Sequence, residues 1–236
     1  MWNRKELKAK GKAAFRANYW RCVVVALILT LIIGGTAGSA KSRVDQASGT
    51  SGASSQLTDE FNNLSEEDQR TVVKIVVGGL TGIAAISFLG RLLIFNPLTV
   101  GCKRFFVVNS NAPAELGELL YGFKKGYGGM VVGMFMRDVF VALWSVLFIV
   151  PGIIKSLSYR MVPYILAEEP GISGMEAIKR SKQMMNGHKM NTFLLDLSFF
   201  GWFLLSVFSL GIVNTLWTEP YVEATGAELY KTLKNA

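Results

Sequence analysis

Two long runs of uncharged, mostly apolar residues constrain this chain more than any other feature. Nineteen residues separate Arg21 from Lys41 without one charged side chain, and Leu197 to Thr218 adds twenty-two more. Runs of that length are long enough to cross the hydrocarbon core of a bilayer as helices. The sequence therefore predicts an all-α, polytopic membrane protein.

The composition supports this class. Half of the 236 residues are hydrophobic, 18% are charged, and the mean hydropathy is +0.33. Soluble domains usually carry about 25% charged residues. The net charge is +8, and residues 1–21 alone contain seven basic side chains and one acidic one. Because the basic residues flank apolar stretches, they indicate a bilayer with an anionic inner leaflet as the partner and argue against nucleic acid.

The distribution of Lys and Arg predicts the topology, because basic loops stay on the cytoplasmic side. We expect one membrane domain over 1–236, a six-helix bundle with both termini cytoplasmic. Its predicted segments are a cytoplasmic amphipathic helix at 1–19, span 1 at 20–40, an outer loop at 41–71, span 2 at 72–102, a cytoplasmic segment at 103–127, span 3 at 128–150, span 4 at 152–167, a cytoplasmic amphipathic helix at 168–189, span 5 at 190–210 and span 6 at 212–233. Pro151-Gly152 is expected to turn the chain before span 4, which is short for a full crossing.

A cleaved signal peptide is the alternative interpretation of the first apolar run. Its basic start is long for a signal, however, and has the pattern of a helix capped by Asn3 and Glu6, with Leu7 and Phe15 on one face. We expect this helix to lie along the inner leaflet. Ser65 is similarly expected to cap the helix that leads into span 2.

A short pattern recurs before each outward span. A large apolar residue is followed three positions later by Asn or Gly, which tolerate the left-handed conformation that ends a helix, and then by a ring. These Asn and Gly residues are Asn18, Gly126 and Gly187, and the rings are the candidate interfacial residues Tyr19, Tyr127 and His188.

Each returning span contains one proline, and the three are Pro97, Pro163 and Pro220. Proline removes a backbone hydrogen bond, so we expect a kink at each site and a protein or water partner for the freed carbonyl. Together the patterns predict three parallel helical hairpins, each preceded by a basic amphipathic interfacial helix. The alternative is coincidence among residues that are common at membrane interfaces.

Charged residues inside the predicted spans are the candidate functional residues, because each is costly in hydrocarbon. The predicted intramembrane cluster comprises Arg137, Asp138, Lys155, Arg160, Asp196 and Glu219. Neighbours on a helix point about 100° apart. We therefore expect Asp138 to meet Arg160 or Lys155, and Arg137 to meet Asp196 or Glu219. Such a cluster serves either as an internal salt-bridge network or as a substrate pathway.

The sequence contains no pattern that indicates an enzyme, a cofactor or a metal. His188 is the only histidine, and it has no cysteine or carboxylate at metal-ligand spacing. Neither a phosphate-binding loop with its lysine nor a nucleophile beside a base can be identified. We therefore expect no catalytic residues.

Three segments have a distinctive sequence: PGIIKSLSYRMVPYILAEEP at 151–170, EAIKRSKQMMNGHK at 176–189 and LWTEPYVEATGAELYKTL at 216–233. These segments resemble the bacterial integral membrane family called domain of unknown function 975. The resemblance covers nearly the whole chain except the outer loop, and it extends distantly to the membrane portion of some glycerophosphodiester phosphodiesterases. It implies a multi-spanning protein of the bacterial cytoplasmic membrane and brings no established activity.

Two functions follow as expectations. The first is a non-catalytic membrane factor that contacts lipid or another membrane protein in assembly, export or envelope resistance. The second is a small transporter or channel that uses the intramembrane charged residues.

Overall fold

The computed structural model describes residues 2–32, 61–62, 64–209 and 211–235. The described residues form helices and connecting turns, with no β-strand among them, which confirms the predicted all-α class. The chain divides into two compact units. One contains residues 1–31 and 93–236, and the other contains residues 32–92.

The first unit begins with α1, Arg4–Ala17, and α2, Tyr19–Ile32, which are bent by 105° at Asn18. The side chain of Asn3 accepts a hydrogen bond from the Lys5 amide, so the predicted cap is confirmed. Glu6 does not complete a reciprocal cap. Its carboxylate instead forms an ion pair with Lys10 at 2.7 Å, one turn further along the helix.

The second unit contains α3, Glu66–Gly90. Ser65 caps this helix as predicted, because its hydroxyl accepts a hydrogen bond from the Asp68 amide. The helix has no buried residue, and most of its apolar side chains are exposed. Residues 33–60 and 63 lie outside the described residues, so most of the predicted outer loop is not described.

The rest of the first unit follows a π-helical turn at Arg91–Phe95. Its elements in chain order are α4, Asn96–Asn109; a 3₁₀ turn, Leu116–Leu120; α5, Tyr121–Lys124; α6, Tyr127–Leu147; α7, Ile149–Ser158; α8, Val162–Glu168; α9, Gly174–Met184; α10, Lys189–Leu197; α11, Phe200–Phe208; a second π-helical turn, Asn214–Thr218; and α12, Glu219–Lys234.

The core of this unit forms where α4 packs against both α8 and α12. Helix α1 lies on α12, and Gly11 makes the close approach possible, since a Cβ there would be 2.8 Å from the Thr225 backbone. The apolar face of α1 is therefore covered by protein, with Leu7 and Phe15 only 3% and 0% exposed. The apolar face of α1 therefore packs on α12, which supplies a complementary apolar face, and not on lipid.

Three helical segments are long and apolar enough to cross a membrane. They are Glu66–Asn109, Tyr127–Leu147 and Lys189–Phe208, and the bent pair of α1 and α2 makes a fourth if counted as one span. No residue is buried in the most apolar window of the first segment, and 22% are buried in the other two. The described residues thus suggest a membrane protein, whereas the predicted six-helix bundle is not confirmed.

The predicted span 4 is two short helices. Helix α7 ends at Ser158, and α8 begins at Val162. The chain reverses at the extended residue Phe148, not at Pro151-Gly152 as predicted. Pro151 fits the first turn of α7, where its missing amide needs no partner, and Gly152 lets α7 approach Ser145 closely.

The predicted span 6 also differs from expectation. Its main element, α12, is buried along most of its length, including Pro220, Ala224, Ala227 and Leu229. The helix is not among the segments that qualify as spans. Its weakly apolar sequence contacts α1 and α4, so protein covers its small side chains.

Candidate functional site

Two of the three predicted proline sites share one local structure. Pro97 and Pro220 each lie in the first turn of a helix, α4 or α12, directly after a π-helical turn. A proline cannot donate to the carbonyl four residues earlier, and its ring crowds that carbonyl. The freed carbonyls are those of Leu93 and Leu216, the third residue of each π-helical turn. The wider π-helical turn therefore occurs where the helix loses a bond.

Tyrosine side chains satisfy both freed carbonyls. The Oη of Tyr127 donates to the Leu93 carbonyl at 2.9 Å, and the Oη of Tyr19 donates to the Leu216 carbonyl at 3.1 Å. The predicted need for a protein partner is thus met by two of the three candidate interfacial residues. We call these two arrangements the tyrosine–proline contacts.

The third predicted repeat is built differently. Pro163 is the second residue of α8, which follows a non-helical break. The carbonyl four residues before it, that of Tyr159, accepts a hydrogen bond from the Val162 amide at 3.2 Å. His188, the counterpart of the two tyrosines, lies beside Trp2 with ring centroids 6.4 Å apart. Its Nδ1 is buried without a hydrogen-bond partner among the described residues.

The residues that precede the three rings adopt two different backbone conformations. Gly126 and Gly187 are left-handed as expected, with φ of 67° and 77°. Asn18 has φ −137° instead. Its side chain donates to the Asn109 side chain at 2.8 Å and to the Ala114 carbonyl at 2.9 Å. These long-range bonds hold Asn18 in place without a left-handed backbone.

Four members of the predicted charged cluster form two ion pairs in the structure. Nη1 of Arg160 lies 2.5 Å from Oδ2 of Asp196, linking the break after α7 to α10. Arg137 and Asp138 lie side by side on α6, with 3.8 Å between Nε and Oδ1. Nε of Arg137 is buried without a hydrogen-bond partner among the described residues.

The remaining cluster members occupy separate places. The Nζ of Lys155 lies 4.7 Å from the centre of the Trp144 ring. Glu219 is the first residue of α12. The six residues therefore do not converge on one centre, and Arg160 bonds to Asp196 where the sequence suggested Asp138.

Sequence reasoning missed the most buried ion pair of the described residues. Lys103 donates to both carboxylate oxygens of Glu223, at 2.7 and 2.5 Å, and their side chains are 15% and 12% exposed. The neighbouring Arg104 bonds to Glu118 at 2.6 Å and to the Ala167 carbonyl at 2.9 Å. These bonds join α4 to α12, the 3₁₀ turn and α8.

A further cluster of polar side chains lies at the C-terminal end of α8. The hydroxyl of Tyr230 donates to Glu168 at 2.8 Å, and Lys234 forms an ion pair with the same carboxylate. Burial, together with this carboxylate, raises the pKa of Tyr230, which keeps the hydroxyl protonated as a donor.

Taken together, the polar side chains hold helices to one another. The described residues contain no group of three or more His, Cys, Asp or Glu side chains placed to hold a metal. Cys22 and Cys102 are buried and unpaired. These polar side chains thus have a structural role: they neutralise charge inside the protein and supply hydrogen bonds to backbone carbonyls.

The tyrosine–proline contacts predict a non-additive mutant pair. Tyr127→Phe leaves the Leu93 carbonyl without its donor and should cost about 1–3 kcal/mol of unfolding free energy. Pro97→Ala restores an amide four residues after Leu93, so Tyr127→Phe should cost clearly less in that background. Unfolding of the four proteins in detergent measures the coupling, with Tyr121→Phe as the matched control. Equal costs of Tyr127→Phe in both backgrounds would contradict the contact.

The Lys103–Glu223 pair predicts a second cycle. Glu223→Gln leaves the Lys103 charge buried and unpaired, so it should lower the unfolding free energy by about 3 kcal/mol. Adding Lys103→Met should recover most of this loss, because no buried charge then remains. Glu6→Gln, which breaks the exposed pair with Lys10, is the control and should cost about 0.5 kcal/mol or less. A Glu223→Gln protein as stable as that control would show that the pair is not buried.

Comparison with known proteins gives one family. The family model described as "Protein of unknown function (DUF975)" matches residues 139–236, from the second half of α6 through α12. No curated protein and no solved structure matches the chain. The resemblance noted in the sequence is thereby confirmed over residues 139–236, which are similar to this family of unknown function.

Proposed function

We propose that this chain is a non-catalytic, multi-pass protein of the bacterial cytoplasmic membrane with both termini cytoplasmic. In this proposal it binds anionic lipid of the inner leaflet, or another membrane protein, in assembly, export or envelope resistance. The proposal has no catalytic step, no cofactor and no nucleic acid.

The pairing of charged side chains from distant parts of the chain carries this proposal. Lys103 and Glu223 neutralise each other, as do Arg160 and Asp196, and each pair joins elements distant in the chain. A transport route needs charged groups that face a water-filled path and exchange partners. Groups that are already paired and hydrogen-bonded within the protein are better suited to fixing the helices.

The exposed surface supports a membrane location. Apolar side chains are exposed along the candidate spans, for example Ile75, Ile86, Val146 and Phe208. Soluble proteins rarely expose contiguous apolar patches of more than a few hundred Å². In lipid, the exposed apolar side chains of these helices do not carry the free-energy cost of contact with water.

Exposed basic residues support contact with an anionic leaflet. On α1 the buried face of Leu7 and Phe15 is opposed by exposed Lys5 and Arg16, and further exposed lysines occur on α5 and α9. Each Lys or Arg near such a surface contributes about 1 kcal/mol of attraction. The basic segments thus favour one side of the membrane.

A small transporter or channel is the second candidate, and Arg137 is the observation that favours it. Its Nε is buried without a hydrogen-bond partner among the described residues, close to the middle of α6. Such a group in a membrane helix is a candidate for contact with a permeating ion.

Cysteine labelling in intact cells tests the topology. In a protein with Cys22 and Cys102 replaced by alanine, single cysteines are placed at Ser54, Lys125, Lys182 and Lys234; Ser54 lies outside the described residues. Only the cysteine at position 54 should react with an impermeant maleimide, because the proposal puts the other three in the cytoplasm. A permeant maleimide should label all four. External labelling at position 125 or 234 would refute cytoplasmic termini and loops.

Flux measurements separate the two candidate functions. Proteoliposomes containing the purified chain should release K⁺, H⁺ and Cl⁻ no faster than empty vesicles, because the proposal contains no conduction path. Vesicles with an added ionophore show that each flux is detectable. Flux above the empty-vesicle rate that disappears in folded Arg137→Gln and Asp138→Asn proteins would instead establish the transporter.

A further inference from the structure

A pocket lies among α6, α7 and α9, apart from the buried ion pairs. Its volume is about 560 Å³, within the usual range for sites that hold small molecules. Phe140 and Trp144 of α6 and Tyr159 after α7 form its aromatic wall. We call it the lysine–aromatic pocket.

Three lysines line this pocket. Lys155 lies on α7, and Lys179 and Lys182 lie on α9. Glu176 is the one acidic side chain in the lining, so the pocket carries a formal charge of +2. None of the three lysines forms an ion pair within 4 Å in the part of the chain that the structure describes. The pocket therefore suits an anion.

The positions of the ammonium groups keep them at the aromatic wall. Nζ of Lys155 lies 4.7 Å from the Trp144 ring centre, and Nζ of Lys182 lies 5.7 Å from the Tyr159 ring centre. Cation–π contacts hold a lysine weakly enough to leave its N–H donors available. A phosphate oxygen can then accept hydrogen bonds from lysines of two helices.

An apolar surface continues from the pocket along α6. Leu143 and Leu147 are each 56% exposed, and on α6 they lie on the same side as Phe140 and Trp144. A free phosphate would leave this surface unused. A molecule with a phosphate at one end and a hydrocarbon chain at the other would cover it, because the chain can lie along α6 while the phosphate contacts the lysines.

We propose that the lysine–aromatic pocket binds one anionic phospholipid, with its phosphate at Lys155, Lys179 and Lys182 and an acyl chain along Trp144 and the exposed side of α6. The inference deepens the proposed function, since it names the lipid class and places its binding at a defined site in addition to the general attraction of basic segments to a charged leaflet.

Binding is measured on the full chain in a neutral detergent. Dioctanoyl phosphatidylglycerol, dioctanoyl phosphatidylcholine and inorganic phosphate are titrated separately by calorimetry. Phosphatidylglycerol should bind with one-to-one stoichiometry, and the other two should bind at least about ten-fold more weakly, because one lacks net charge and the other lacks the apolar chain.

Variants identify the site. Lys155→Gln/Lys179→Gln/Lys182→Gln should weaken phosphatidylglycerol binding by about ten-fold or more. The control Lys5→Gln/Lys124→Gln/Lys125→Gln removes the same charge from other exposed positions and should change the affinity less than about two-fold. If Lys155→Gln unfolds the protein, Lys179→Gln/Lys182→Gln alone should still weaken binding, and Lys179→Arg/Lys182→Arg should retain it.

Three outcomes would overturn the proposal. Equal loss in the pocket and control variants would mean that only net charge matters. Equal affinity for phosphate and phosphatidylglycerol, unchanged by Trp144→Ala, would mean that the site takes a soluble anion. Binding of phosphatidylcholine as tightly as phosphatidylglycerol would mean that the pocket does not distinguish an anionic lipid from one without net charge. Each result leaves the topology and flux tests of the proposed function standing, so failures of the two proposals are distinguishable.

Discussion

The structure depends on supplying hydrogen-bond donors to the backbone carbonyls that proline leaves without a partner. In apolar surroundings an unpaired carbonyl costs several kcal/mol, and a proline in a helix creates one four residues earlier. At Leu93 and Leu216 the solution is the same: a π-helical turn widens the helix, and a tyrosine hydroxyl from the start of another helix fills the vacancy. The prolines thus allow sharp changes of helix geometry, and the tyrosines fix which helix lies beside each of them.

The ion pairs between distant segments act at the next level of organisation. Lys103–Glu223 ties α4 to α12, and Arg160–Asp196 ties the break after α7 to α10. A buried pair contributes little net stability over an apolar alternative, but a wrong pairing is expensive. We infer that these charges select one arrangement of helices among several that the apolar side chains alone would permit.

Local signals in the sequence predicted local structure well. The caps at Asn3 and Ser65 follow from side chains that bond to amides within three residues. The left-handed Gly126 and Gly187 follow from backbone freedom at a helix end. The need for a carbonyl partner at the prolines was also readable, since it depends on covalent geometry alone.

Contacts between distant segments were not readable from the chain. The sequence places Lys103 in a cytoplasmic segment because a lysine after an apolar run is normally solvated, and nothing local shows that Glu223 lies opposite. Asn18 had the composition of a left-handed helix end, but long-range bonds to Asn109 and Ala114 decided its conformation. The reversal at Phe148 replaced the one expected at Pro151-Gly152, because proline is equally at home in a first helical turn.

The contact between α1 and α12 has a consequence for biogenesis. The face of α1 that carries Leu7 and Phe15 is covered by a helix whose contact residue, Thr225, is encoded about 200 residues later. During synthesis this face cannot be covered by α12 until that helix emerges from the ribosome. The contact between α1 and α12 can therefore form only after residue 225 has been synthesised, so this part of the core closes late in translation.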